Sequence, residues 1–488
     1  MTTGSLDHIQ QQLNTIGQRM LLEVQKRQAL LSKIHPEHQL AAQNLIQYLT
    51  LRTEDIRELQ DQLHIHGLSS LASSESHIYC QLQAILQRLG SSYAPEELAA
   101  CTFEFGRMEI EAKSRKLFGP KSDDITPWLM VTFDVSFADN YAQVKSLLQN
   151  GMNVARINCA HDDEATWAKM IHQIKRASRH TGITCKIYMD MAGPKIRTTL
   201  MKKGKKKGVV KVKEGAVVWL AEDASGFQKE DIVISPHEPG IIAMLKKGER
   251  VFIDDGIIKG LIETVDEGRA AMRIVRIASA KQVIKAGKGI NFPDSELSIS
   301  PLTDFDKACL PFICAHADLL GYSFVRHPSD LDALEQELAK NTPEPPRIIL
   351  KIETPDAVKY LPDLLLRGMQ QASLGVMIAR GDLAVEIGFE RMSEIQEEIL
   401  WICEAAHVPV IWATQVLETL NKSGVATRSE ITDAAHAAMA ECVMINKGDH
   451  TIEVIETLRD ILQRIGGHHI KKRFTLRPLS IAEVFMNA

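Results

Sequence analysis

Four short apolar runs in the second half of the chain each end in a reactive polar group. IILKIE ends in Lys351 and Glu353, GVMIARGD in Arg380 and Asp382, VPVIWATQ in Thr414 and Gln415, and CVMINKG in Asn446. In an extended strand, residues two apart face the same side, so Lys351 and Glu353 project together. Asp382 follows the next run, so carboxylates from two neighbouring strands can converge. Two carboxylates, substrate oxygens and water suit Mg2+ or Mn2+, which favour hard oxygen ligands. Lys351 beside such a metal supplies a compact positive charge for a phosphoryl group or a developing enolate. Arg156 and Asn158 end an earlier run, and they and Arg197 add donors suited to phosphate oxygens. Three cations and a metal at one mouth call for an anionic phosphate ester, and phosphoryl transfer needs little beyond positioning and charge neutralisation.

Blander readings compete with this one. A single Lys or Glu at a strand end serves as often in a structural ion pair as in chemistry, whereas six such groups at consecutive strand ends do not. His161 reads equally well as a loop or capping residue. The KKGKKKG run at 202–208 reads as a solvated hairpin, and His468, His469, Lys471, Lys472 and Arg473 as a solvated tail.

Positioning so many strand-end groups requires a regular scaffold. From Trp128 onward the runs WLMVTF, NVARIN, CKIYMDM, LLGYSFV, RIILKI, GVMIA, PVIWA and CVMIN alternate with amphipathic stretches such as ATWAKMIHQIKRASR and MSEIQEEILWICEAA. Eight βα units predict an α/β fold, a (β/α)8 barrel with its chemistry at the carboxyl ends of the strands. One interval breaks the rhythm. Residues 198–288 are rich in Val, Ile and Lys with turn residues and lack long helices, which predicts a small β domain inserted after the third strand as a lid. Removing it leaves 125–197 and 289–465, about 250 residues, the usual size of such a barrel. Residues 1–120 show only helical periodicity and read as a separate all-α module, with GLSSLASSESH supplying a helix N-cap, LFGPKSDDITP as a linker, and 466–488 as a tail.

Composition narrows the function classes. The chain has 488 residues, 45% apolar and 24% charged, with a net charge of −5, so no global field gathers nucleic acid. Eight cysteines are scattered without a C-x-x-C pair and read as buried thiols of a reducing compartment. There is no signal-peptide pattern and no apolar stretch near 18 residues, so the expectation is a cytoplasmic protein without membrane or nucleic-acid partners.

The motifs ILKIETPDAV, VMIARGDLAVEIG, WATQVLETL followed by TRSEITDAA, GMNVARINCAH, MDMAGPKIRT and GKGINFP resemble, in order and spacing, those of the pyruvate kinase family. The resemblance spans about 128–460, β insertion included. It implies Mg2+-dependent (or Mn2+-dependent) transfer of the phosphoryl group of phosphoenolpyruvate to ADP, giving pyruvate and ATP. By motif match, Glu353 and Asp382 would hold the metal, Lys351 would stabilise the phosphoryl group and the enolate, and Thr414 would sit beside the enolate carbon. Ala379, Arg380 and Gly381 would receive the substrate carboxylate at a helix N-terminus, with Ser323 lining the pocket. Arg156 would act in catalysis, and Asn158, His161 and Arg197 would reach the nucleotide and phosphates.

The chain departs from the family in three places. Of the residues that normally hold K+, Asn158 and Asp190 match, while Ala160 and Met191 stand where the family has hydroxyls. The usual Glu after Gly-Pro is Lys195, whose ammonium is expected to supply the charge of a missing K+ in company with Asp190, so that K+ is not required. The loop after the first strand (VTFDVSFADN) and the one after the eighth (NKGD, around Asn446) are altered on the nucleotide side. The tail, at 466–488, carries the expectation that the family's C-terminal regulatory domain is missing, and the N-terminal helices are a candidate dimer interface or docking surface of a homo-oligomer. A catalytically silent regulator and a metal-dependent pyruvate-enolate lyase or aldolase are the competing readings.

Overall fold

The fold was analysed in a computed structural model, which describes residues 6–121, 126–266, 268–297, 299–466, 469–470 and 473–474. Eight parallel strands close a barrel: β1 (Trp128–Phe133), β2 (Val154–Asn158), β3 (Lys186–Asp190), β4 (Leu319–Tyr322), β5 (Arg347–Ile352), β6 (Leu374–Ala379), β7 (Val410–Ala413) and β8 (Cys442–Ile445), with β1 paired to both β2 and β8. Every expected strand forms. Their near-continuous apolar sequences follow from burial on both faces, because helices cover the outside and side chains fill the inside. Trp128, Met130, Tyr188, Ile349, Met377 and Ile411 belong to the interior layer.

The outer helices include Tyr141–Gln149, Glu164–Thr181, Pro328–Ala339, Met392–Ala405, Arg428–His436 and Thr451–Gly466. The stretch DAVKYLPDLLLRG, amphipathic throughout, forms two helices, Pro355–Lys359 and Leu361–Gly368, because Pro362 cannot donate a helical N–H. The helix Asp304–His316 went unassigned in the sequence, its pattern interrupted by Pro311.

The inserted segment forms a seven-stranded sheet with its own apolar core. Its edge strand, Ile290–Asn291, pairs with Arg250–Ile253, so the sheet draws in residues just past 288. The KKGKKKG run does not close a hairpin. The strand before it, Thr198–Lys202, pairs with Val233–Pro236, and the strand after it, Val209–Lys211, pairs with Val283–Lys285.

The N-terminal helices are seated on the barrel rather than set apart from it. The helix Phe103–Phe118 ends with Leu117 and Phe118 inside the barrel's interior layer, Leu117 fully buried and close to Gly375. Gly119 O accepts a hydrogen bond from Trp128 Nε1 at 2.8 Å. Asn44, on the helix Gln39–Arg52, donates to Glu75 O and to Ala405 O of an outer barrel helix, and its Oδ1 accepts from Ile78 N. The expected cap from the Ser-rich loop is therefore supplied by a side chain from another helix, which satisfies one orphan N–H at that helix start. His35 N donates to Met369 O and Lys116 Nζ to Ala372 O.

Leu117 is the plug of this floor. Leu117→Ala should leave a cavity at the base of the barrel and cost about 2–5 kcal/mol. A chemical-denaturation series would check this; an unchanged midpoint would show that the helices stand apart from the barrel after all.

Candidate functional site

The site is built at the carboxyl ends of β2 to β7 and in the loops that follow them. Lys351 and Glu353 project together, as the strand period requires, and both are buried. Lys351 Nζ lies 2.6 Å from Ser323 Oγ, 3.0 Å from Glu353 Oε1 and 3.2 Å from Asp190 Oδ1. Burial disfavours its charge, but Asp190 and Glu353 outweigh that and hold the ammonium above the usual lysine range. Asp190, 1% exposed, is also gripped by Arg156 through Nε at 3.0 Å and through Nη2. Burial alone would raise its carboxyl; Lys351 and Arg156 bring it below the usual aspartate range. Arg156 further donates to Thr132 Oγ1 at 3.1 Å, and the Tyr188 hydroxyl to Asp190 Oδ1 at 3.2 Å.

Glu353 Oε2 accepts from Phe324 N at 2.6 Å, and the Ser323 hydroxyl donates to Met191 O at 2.6 Å. The loop after β3 is pinned by Asp306 of the helix Asp304–His316, which accepts from Ala192 N and Gly193 N. That loop carries Lys195, whose Nζ lies 2.6 Å from Asp382 Oδ1 and 3.8 Å from Asp255 Oδ1 of the inserted domain. Lys195 thus finds a partner the sequence did not suggest: it is paired with Asp382, while Asp190 pairs with Arg156 and Lys351. Asn158 Oδ1 is turned to its own loop, accepting from Ala160 N.

Ala379 ends β6 and precedes the helix Arg380–Ile387, whose first turn carries Gly381 and Asp382. Gly381 N donates to Thr414 Oγ1 at 2.9 Å. The Arg380 side chain points elsewhere. It donates to Ala413 O and Thr414 O, pairs with both oxygens of Asp433, and lies over the Trp412 ring at 4.5 Å. The Arg380 guanidinium is therefore fully engaged within the protein. Thr414, Gln415 and Leu417 all have left-handed backbone, with φ of 67°, 58° and 50°. Strain of this kind persists at a site only when the surroundings over-determine it, and here the Arg380 bonds to two carbonyls supply that hold.

The remaining expected groups divide between two cavities. His161 and Asn158 share one with Arg156, Asn446 and Lys447, and Arg197 lines another with Lys195 and His237. Burial pulls the His161 imidazole below the usual histidine range, and Lys447 and Arg197 add to this. Asn446 O accepts from Asn421 Nδ2 at 2.7 Å, tying the NKGD loop to the helix Glu418–Ser423.

Two carboxylates, Glu353 and Asp382, remain as donors for a divalent cation. Burial raises the Glu353 carboxyl, and the nearby Asp382 charge adds to that. Among the described residues no group of three or more His, Cys, Asp and Glu forms a closed metal cage, and Mg2+ typically uses one or two carboxylates with substrate oxygens and water. The donor set fits.

Residues 118–453 match the family model "Pyruvate kinase, barrel domain". The chain belongs to the pyruvate kinase family. It is 32% identical over 336 residues to the pyruvate kinase of Geobacillus stearothermophilus, 31% over 337 residues to that of Thermotoga maritima, and 30% over 330 residues to human pyruvate kinase PKLR. These matches cover 67%, 66% and 64% of this chain, and 55%, 67% and 55% of the respective relatives. The chain thus spans little more than half the length of several of the relatives it matches. Pyruvate kinases generally use Mg2+ and take phosphoenolpyruvate and ADP as substrates. No helix among the described residues is long and apolar enough to cross a membrane.

Sequence reading missed Asp433, Tyr188, Thr132 and Asp255, all partners of named site residues, and Asp306, which pins the loop that carries Lys195. Gly321 of β4 was missed too, and its signal was only a glycine inside an apolar run. A Cβ there would collide with the Tyr188 hydroxyl and the Asp190 carboxylate. Gly321→Ala should displace Asp190 from Lys351 and Arg156, cutting kcat/KM by about 10²-fold. Circular dichroism would verify that the fold survives; a variant with full activity would show that Asp190 placement is not critical.

Proposed function

We propose that this protein is a pyruvate kinase that transfers the phosphoryl group of phosphoenolpyruvate to a nucleoside diphosphate, ADP first among them, in a Mg2+-dependent and K+-independent reaction. The observation that carries the reading is the buried Lys351 ammonium, held charged between Asp190 and Glu353 with Arg156 behind them. A permanent, desolvated positive charge at the mouth of a barrel suits a phosphoryl group in flight and the enolate it leaves. Its pairing with carboxylates also explains how a cation is kept there before substrate arrives.

Glu353 and Asp382 would hold the divalent cation, which when bound neutralises phosphate and enolate charge. The N–H groups at the start of the helix Arg380–Ile387 receive the substrate carboxylate, aided by the positive end of the helix dipole. Ser323 positions the Lys351 ammonium. Arg156 faces the moving phosphoryl group, and Asn158, His161 and Arg197 serve the acceptor phosphates from the two flanking cavities. After transfer, the Thr414 hydroxyl sits on the side from which the enolate carbon takes its proton, through water. The reaction proceeds in the cytoplasm.

Lys195 supplies the monovalent positive charge. Burial opposes its protonation, but Asp382, with Asp255 in support, keeps it above the usual lysine range. Its ammonium acts from the Asp382 side of the site, whereas Asp190 is already neutralised by Arg156 and Lys351. The purified enzyme should therefore turn over equally well in Na+ or K+ buffers; strong stimulation by K+ in a titration would refute this role.

The decisive assay supplies phosphoenolpyruvate, Mg2+ and each nucleoside diphosphate, with pyruvate detected by a coupled dehydrogenase. Pyruvate formation is expected with ADP. Its absence with every diphosphate, in protein shown to be folded, would favour a silent regulator or an enolate lyase. Lys351→Met should lower kcat by about 10²–10³-fold. The same substitution leaves Asp190 and Glu353 short of a cation, so the melting temperature should fall too.

A further inference from the structure

Two family-like motifs carry residues that the proposed chemistry leaves idle: Asn291 in GKGINFP and Glu386 in GDLAVEIG. The structure joins them, with Asn291 Nδ2 donating to Glu386 Oε1 at 2.7 Å. Asn291 is buried and ends the edge strand of the inserted sheet, where the chain returns to the barrel. Glu386 lies one turn beyond Asp382 on the helix Arg380–Ile387. Burial pushes its carboxyl up to about 7, with the Asn291 hydrogen bond pulling the other way and Asp382 adding to the rise.

The same side of this helix meets the inserted domain at two further points. Asp382 accepts from Lys195 on the outgoing connection at 2.6 Å. Val385 and Phe389, the latter in the turn just after the helix, lie against Gly256 at the tip of the insert: a Cβ there would be 3.4 Å from Phe389 Cε2 and 4.0 Å from Val385 Cγ2. Positions 382, 385, 386 and 389 share one side at helical spacing. The tip itself is held in left-handed backbone at Asp254, Asp255 and Gly256, with φ of 58°, 52° and 84°. A cavity of about 210 Å³ lies beside the Glu386–Asn291 pair, lined also by Lys195, Phe324 and Arg326.

We infer that Glu386 is a positioning residue that, through Asn291, sets the seat of the inserted domain over the active site. The helix that receives the insert also carries Gly381, bonded to Thr414, and Asp382 at its start, so the seat of the lid and the proposed substrate-binding end lie on one element. Losing the clasp leaves the chemistry's own groups untouched but loosens the cover above them. The kinetic consequence rests on the phosphoryl-transfer reading; the structural one does not.

The test compares Glu386→Ala, Glu386→Gln and Asn291→Ala in the full chain. Hydrogen–deuterium exchange without substrates should quicken about tenfold at residues 254–258 and 286–292 in both Ala variants, while residues 347–352 of β5 keep their protection. Glu386→Gln retains an acceptor for Asn291 and should restore the slow exchange. In steady-state kinetics the Ala variants should raise KM for phosphoenolpyruvate more than they lower kcat. Unaltered exchange at both segments in Glu386→Ala would overturn the inference. So would loosening spread evenly through the barrel, which marks a merely structural pair. If wild-type protein forms no pyruvate while the exchange pattern responds as described, the phosphoryl-transfer reading fails and the clasp stands.

Discussion

Charge balance at the buried strand ends is the constraint on which the rest depends. Lys351 sits where an isolated ammonium would lose most of its hydration, and it stays charged because Asp190 and Glu353 flank it. Asp190 in turn is tolerable only because Arg156 shares it. Removing any one member leaves another group buried and uncompensated, so the set survives as a unit or not at all. The network also needs a glycine beside it: at Gly321 no side chain intrudes on the Tyr188 hydroxyl and the Asp190 carboxylate.

The balance has a functional corollary. Arg156, Lys351 and Lys195 are matched by Asp190, Glu353 and Asp382, so these six side chains carry no net charge. On the function proposed above, a divalent cation at Glu353 and Asp382 would tip this balance toward a phosphate ester, without a dedicated all-protein metal cage.

The strands, the closed barrel and the inserted sheet were legible because they rest on local pattern: period two, apolar runs and turn residues. Lys351, Glu353 and Asp382 were legible for the same reason, since strand-end placement follows from sequence position. The Arg380 guanidinium was not. Its engagement with Asp433 depends on a helix some 50 residues away, and nothing local to ARGD signals that the side chain turns outward. The partner of Lys195 was hidden likewise, because the loop after β3 is aimed by Asp306 from beyond the inserted domain. The N-terminal helices read as separate because their periodicity reports only that one face is buried, not what covers it. Leu117, a leucine like any other in the sequence, turns out to plug the barrel.

The helix Arg380–Ile387 brings these strands of argument together. Its first turn carries Gly381 and Asp382, Thr414 is fixed to it through Gly381, and the inserted domain rests against its side. Its length is short, so propensity alone would not sustain it. What holds it is tertiary: the strained turn after β7 at one end, the Arg380 anchors across to Asp433, and the Lys195 and Asn291 contacts along its flank. An element stabilised almost wholly by its partners responds when any of them changes. In this fold those partners are Lys195, Thr414 and the inserted domain, which meet on one short helix.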